Sequence, residues 1–156
     1  MAERYGLMVP GAKSSAPHID VLSPYNRRKI GSAATADEAV AEQALKTAYG
    51  LYRNRDSWLP AWKRVDILER TVEIMTKRAD YLAMESAREG GKPLIDSIHE
   101  VARAIDGVKL CIEGLRTQAG EEIPMGISRS SQHRLAFTSL EPIGVVTAVS
   151  AFNHPL

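Results

Sequence analysis

The run Ile143-Gly144-Val145-Val146-Thr147-Ala148-Val149, opened by Pro142, constrains the fold more than any other feature of this 156-residue chain. It is almost continuously apolar and lacks the alternation of a strand with one wet face, so it predicts a strand covered on both sides. Strands of that kind belong to parallel α/β sheets, whose neighbouring strands are reached through long crossovers. No other segment of the sequence supplies such a neighbour. The expected fold class is therefore α/β, with the chain a truncated piece holding the first strand of a larger sheet. Ligands of open parallel sheets bind beyond the carboxyl ends of the strands. Here that place belongs to Ser150-Ala151-Phe152-Asn153-His154-Pro155.

What precedes the run reads as mainly helical. Residues 1 to 17, with Pro10, Gly11, Ser14, Ser15 and Pro17, show no periodicity and are expected to be loose. Two apolar patches between Ile19 and Ile30 flank Ser23-Pro24-Tyr25-Asn26, which predicts a small hairpin. A first helix is expected from a capping box at Thr35 and Glu38 to about Tyr52. A second starts near Pro60, with Val65, Leu68, Val72 and Met75 inward and the pairs Asp66 to Arg70 and Glu73 to Lys77 outside. This helix, or a continuation of it, extends toward Arg88 and stops at Gly90-Gly91, because glycine accepts the left-handed conformation of a C-cap.

Beyond Lys92-Pro93, Leu94, Ile98, Val101, Ile105, Val108, Ile112 and Leu115 recur at alternating spacings of four and three residues. A coiled-coil adaptor and a core helix both produce this stripe, but Gly107 and Gly114 weaken an extended coil and favour the core helix. After Gly120 the period changes. Residues 123 to 127 and 134 to 140 read as the strands of a second hairpin around Ser128-Arg129-Ser130-Ser131-Gln132.

Charge excludes some partners. With 20 basic and 19 acidic residues intermixed, the net charge of +1 offers no electrostatic footprint for nucleic acid. Cys111 is the only cysteine, so an internal disulfide is excluded and a cytoplasmic location is the default expectation. Met1-Ala2-Glu3-Arg4 leads into no apolar signal region, and no apolar stretch is long enough to cross a bilayer, so no membrane association is expected.

The succession Glu141-Pro142-Ile143-Gly144-Val145-Val146 and then Phe152-Asn153-His154-Pro155-Leu156 resembles the aldehyde dehydrogenase superfamily. Ser23-Pro24-Tyr25-Asn26, Gly90-Gly91-Lys92-Pro93 and Glu100-Val101 fall where that family has similar features, so the likeness covers about residues 19 to 156. It implies an aldehyde dehydrogenase-like fold made of a Rossmann-like cofactor domain, a catalytic domain and a protruding hairpin for assembly. By that likeness residues 1 to 120 are the hairpin and helices that pack on the cofactor domain, and residues 121 to 141 are the β-hairpin of the oligomerisation region. Residues 142 to 156 begin the dinucleotide-binding domain, which is incomplete. A homo-oligomer, dimer or tetramer, is implied for the complete protein.

The activity implied by the likeness is oxidation of an aldehyde to its acid with NAD or NADP. A cysteine thiolate adds to the aldehyde, hydride leaves the thiohemiacetal for the nicotinamide, and a glutamate-activated water releases the product. That nucleophile and that general base are expected outside this sequence. Asn153 carries over as a catalytic residue whose amide hydrogen-bonds the oxyanion, with a turn asparagine bonding its own backbone as the plainer alternative. Val149, Ser150, Ala151, Phe152 and Asn153 match positions that line the cofactor. Phe152 and His154 depart from the residues common in the family, and point to a subgroup acting on small polar aldehydes.

Three further residues are weighed against plainer readings. Glu100 matches a position that helps hold a structural monovalent cation in some members, whereas a solvated helix glutamate is the simpler account. His154 is expected to pack or hydrogen-bond rather than act as a base. Cys111, between Leu110 and Ile112, is expected to be a buried inert thiol rather than the nucleophile. The competing function is a stand-alone helical interaction module that assembles through the Leu94 to Leu115 stripe.

Overall fold

A computed structural model describes residues 3 to 156. The expected first hairpin is present: β2 (Ile19–Leu22) runs antiparallel to β3 (Lys29–Ala33), with Val21 opposite Gly31. Its turn closes through Ser23 N–H to Arg28 O at 2.9 Å and Arg27 N–H to Ser23 O at 2.9 Å. Asn26 Oδ1 accepts from Arg28 N–H at 3.1 Å, the local side-chain bond for which turns select asparagine. The segment expected to be loose supplies a third strand. β1 (Glu3–Tyr5) pairs with β3 in parallel, giving the order β1-β3-β2. Three residues are too few to show a strand period, and the open edge of β3 is what recruits them.

The first long helix, α1 (Glu38–Arg53), does not use the expected capping box. Its N-cap is Asp37, whose Oδ1 accepts from Val40 N–H at 3.0 Å, while the Thr35 hydroxyl donates to Pro17 O at 2.6 Å. A single 3₁₀ turn, Arg55–Ser57, follows. There the Trp58 ring stacks on Tyr52, donates Nε1–H to Tyr52 O at 2.9 Å and lies beneath the Arg55 guanidinium. Arg55 also pairs with Glu141, fixing the point from which the apolar run departs.

Pro60 caps α2 (Ala61–Lys77) as expected, and its predicted inward residues Val65, Leu68, Val72 and Met75 are half-buried, together with Thr71. Arg70 pairs with Glu73 and Glu69 with Arg116, in place of the predicted one-turn pairs along α2. The helix breaks at Arg78 and resumes as α3 (Ala79–Gly90), which ends on Gly91 in the left-handed conformation at φ 66°. A β-carbon on Gly91 would also stand 2.5 Å from the ring of Pro24, so this glycine is required both by its backbone angle and by the packed hairpin turn.

The long helix α4 (Leu94–Thr117) lies against α2 and α3. Val101 and Ile112 of the predicted stripe are buried in that contact, so the stripe serves the core of this chain. The buried line begins elsewhere than predicted: Ser97 and Glu100 take the inner positions while Leu94 and Ile98 face outward. Small residues, Ala83 and Ser86 on α3 and Ser97 on α4, are buried where these two helices meet, which suits close approach of their backbones. Cys111 corrects the expectation set by its neighbours, for it is exposed. It lies one residue off the inner line, on the outward side of α4.

The second hairpin is short. β4 (Glu122–Ile123) pairs antiparallel with β5 (Ala136–Phe137), and residues between them form a 3₁₀ turn at Arg129–Ser131. Its two legs close tightly at the base, where a β-carbon on Gly120 would overlap Thr138 O and Thr138 N–H donates to Glu121 O at 2.9 Å. The run from Ile143 to Val149, predicted as a strand, belongs to no strand among the described residues, and Ile143 and Val149 are 90% and 91% exposed. A ladder needs a partner, and no described strand stands beside it. No helix among the described residues is long and apolar enough to cross a membrane.

Candidate active site

Of the predicted site residues, Glu100, Phe152 and Asn153 meet at one end of α4, whereas Val149, Ser150 and Ala151 lie outside that meeting point. The Gly90-Gly91 stop turns the chain so that Lys92 faces the first turns of α4, and residues 152 to 155 return to the same place from the apolar run. Together they enclose a cleft of about 500 Å³ lined by Lys92, Glu100 and Arg103 on one side and Phe152, Asn153 and His154 on the other. The loop has one internal constraint, an isolated antiparallel bridge between Ala151 and His154.

Glu100 is 8% exposed, which overturns the reading of a solvated helix glutamate. A carboxylate withdrawn from water needs a countercharge and hydrogen-bond donors. Lys92 provides the countercharge through an ion pair to Glu100 Oε2, and Leu156 N–H donates to Oε1 at 3.1 Å. His154 Nδ1 stands 3.6 Å from the same Oε2. Lys92 Nζ in turn donates to the main-chain carbonyl of Asn153 at 3.1 Å. The loop is thus fastened through its backbone, leaving the Asn153 side-chain amide outside those contacts, on a residue that is exposed and lines the cleft.

Val149, Ser150, Ala151 and Phe152 form the exposed approach to this loop, with Phe152 94% exposed. Cys111 does not line the cleft. The sequence reading missed Asp96, His99 and Arg103 as cleft residues. A signal was available: positions 96, 99, 100 and 103 fall on one face at helical spacing, a polar stripe beside the apolar one.

The arrangement of a helical layer, a small hairpin and an asparagine loop after an apolar run defines the N-terminal part of a known enzyme fold. The structure superposes with a TM-score of 0.90 on aldehyde dehydrogenase 21 from Physcomitrella patens, solved with the reaction product succinate, at 25% identity over 100% of this chain and 33% of that one. Glyceraldehyde-3-phosphate dehydrogenase from Methanocaldococcus jannaschii, complexed with NADP, gives a TM-score of 0.77 at 32% identity, covering 88% of this chain and 29% of that one. In sequence, an aldehyde-dehydrogenase-like protein of Sinorhizobium fredii is 35% identical over 144 residues, 92% of this chain and 28% of its own length. Residues 12–156 match the Aldehyde dehydrogenase family, and the chain belongs to it. It spans about a third or less of the length of these relatives.

Proposed function

We propose that this chain supplies the oxyanion-binding asparagine and part of the nucleotide-facing wall of an NAD(P)-dependent aldehyde dehydrogenase. The observation that carries the reading is the placement of Asn153: its backbone is held by Lys92 while its residue lines the cleft. An amide carried on a backbone held in this way is placed to donate to the oxygen that becomes negative when a nucleophile adds to an aldehyde. Such a donor strengthens its bond as charge develops, which lowers the barrier rather than the ground state. In this reading the nucleophile is a cysteine thiolate and the general base a glutamate, neither supplied by this chain. Cys111 is exposed outside the cleft and serves neither role.

The residues that would hold the dinucleotide are Val149, Ser150, Ala151, Phe152 and Asn153. Their exposure leaves backbone amides, carbonyls and the Ser150 hydroxyl open to the ribose and carboxamide groups of a nucleotide, so the donor set fits. NAD(P), when bound, accepts the hydride. Lys92, His99 and Arg103 make the cleft polar, which supports a small polar aldehyde as substrate. The short hairpin of residues 121 to 141 is the assembly arm in this reading, and the complete protein a cytoplasmic homo-oligomer.

The test is kinetic. In the full-length enzyme carrying this segment, Asn153→Ala is expected to lower kcat by about 10²–10³, the scale of one oxyanion donor. Unchanged turnover with aldehyde and NAD(P) would remove Asn153 from the chemistry. Against the rival interaction-module reading stands the burial of Val101 and Ile112, two residues of the stripe it needs, in this chain's own core.

A further inference from the structure

The loop that presents Asn153 belongs to no helix or extended strand. Among the described residues, the hydrogen bonds joining residues 151 to 156 to the helical layer run to two side chains, Lys92 and Glu100. We propose that Glu100 is a positioning residue: with Lys92 it fastens both ends of the Asn153 to Leu156 segment and so sets where the Asn153 amide stands. This rests on the oxyanion reading of Asn153.

The geometry favours a positioning role over general stabilisation. Burying a carboxylate and an ammonium together is costly, and an apolar pair of the same volume usually serves stability as well or better. Here each member of the pair also makes one hydrogen bond to the loop backbone. Glu100 Oε1 takes the N–H of Leu156, and the Lys92 ammonium, whose side chain is 18% exposed, bridges Glu100 and the carbonyl of Asn153. His154 Nδ1 approaches the same carboxylate from within the loop. Three residues from two separated stretches of chain, Lys92 on one side and His154 and Leu156 on the other, thus converge on one carboxylate. None of these contacts reaches the Asn153 side chain, so Glu100 acts on it only through the backbone.

The experiment uses the full-length enzyme, with two readouts on Glu100→Ala, Glu100→Gln, Lys92→Met, Asn153→Ala and the double variant Glu100→Ala/Asn153→Ala. The first is amide hydrogen exchange over residues 150 to 156. The second is the division of the rate loss between kcat and KM for the aldehyde. Glu100→Ala and Lys92→Met are expected to speed exchange in the loop and to lower kcat about tenfold while KM moves less than about twofold, as for a misplaced oxyanion donor. Glu100→Gln, which keeps an acceptor for the Leu156 N–H, is expected to recover part of both. In the Asn153→Ala background, Glu100→Ala is expected to cost less than about twofold more, the non-additivity of residues acting through one another. Loop exchange unchanged in Lys92→Met and Glu100→Gln, or a full additive loss in the double variant, overturns the proposal. Those two variants decide the matter even where Glu100→Ala fails to fold. If Asn153→Ala leaves kcat intact, the oxyanion reading fails by itself, and the exchange data still decide whether Glu100 fastens the loop.

Discussion

The Asp37 carboxylate is gripped by Ser15 through two hydrogen bonds, from the hydroxyl at 2.7 Å and from the backbone N–H at 2.8 Å. Together with the Val40 N–H at the start of α1, these donors favour the charged form and lower the Asp37 pKa from 3.8 to about 2. A carboxyl group whose pKa falls on folding contributes stability above its unfolded value and loses it as the pH falls through its folded value. The stability gap between the native chain and Asp37→Asn, followed by thermal melts, is therefore expected to be full above pH 3.8 and to close as the pH approaches about 2. A gap that does not change across that window would rule out the charge as its source.

Gly91→Ala is expected to destabilise by about 2 kcal/mol or more. The left-handed backbone costs a β-carbon about 1–2 kcal/mol, and here that carbon also meets the Pro24 ring at 2.5 Å. Urea unfolding of Gly91→Ala, with and without Pro24→Ala, separates the two causes. Partial recovery in the double variant identifies the ring contact. No loss in the single variant would mean that the turn tolerates a side chain.

The apolar run from Ile143 to Val149 is exposed in this chain, with Val146 at 73%. Exposed apolar segments without a ladder partner are association sites. Light scattering of residues 1 to 156 is expected to show concentration-dependent assembly, reduced by Val146→Lys. Equal scattering from both proteins would assign the assembly to another surface.

Cys111 is expected to react with a maleimide in the folded chain without denaturant, because its thiol is exposed. Cys111→Ser is expected to change stability by no more than about 0.5 kcal/mol, the usual range for surface positions. Protection of the thiol until unfolding would contradict the outward orientation of this part of α4.

The helices and both hairpins were legible because their signals are local: Pro60 and Gly91 at helix ends, the Ser23 to Asn26 turn, and a helical period in α4. What escaped depended on contacts between distant segments. Thr35 and Asp37 are both capping side chains, and the choice between them is settled by Pro17 taking the Thr35 hydroxyl and Ser15 taking the Asp37 carboxylate. Glu100 read as solvated because its burial depends on Leu156 and Lys92, the first of which lies far along the chain. Cys111 was misjudged from its immediate neighbours, although counting helical phase from Val101 and Ile112 places it off the buried line. The placement of Asn153 at a cleft came from the order of motifs. The polar face of α4 opposite it, with Arg103 and His99, was present in the spacing but was masked by the stronger apolar stripe.

Gly91 and Lys92 are consecutive, and they face different halves of the structure: one accommodates the ring of Pro24, the other holds the carbonyl of Asn153. The N-terminal hairpin and the asparagine loop are therefore aligned from a single datum, two residues long. Any error in seating the hairpin turn is passed directly to the loop as a displacement, so the accuracy with which the first strands dock sets the accuracy with which the amide is aimed.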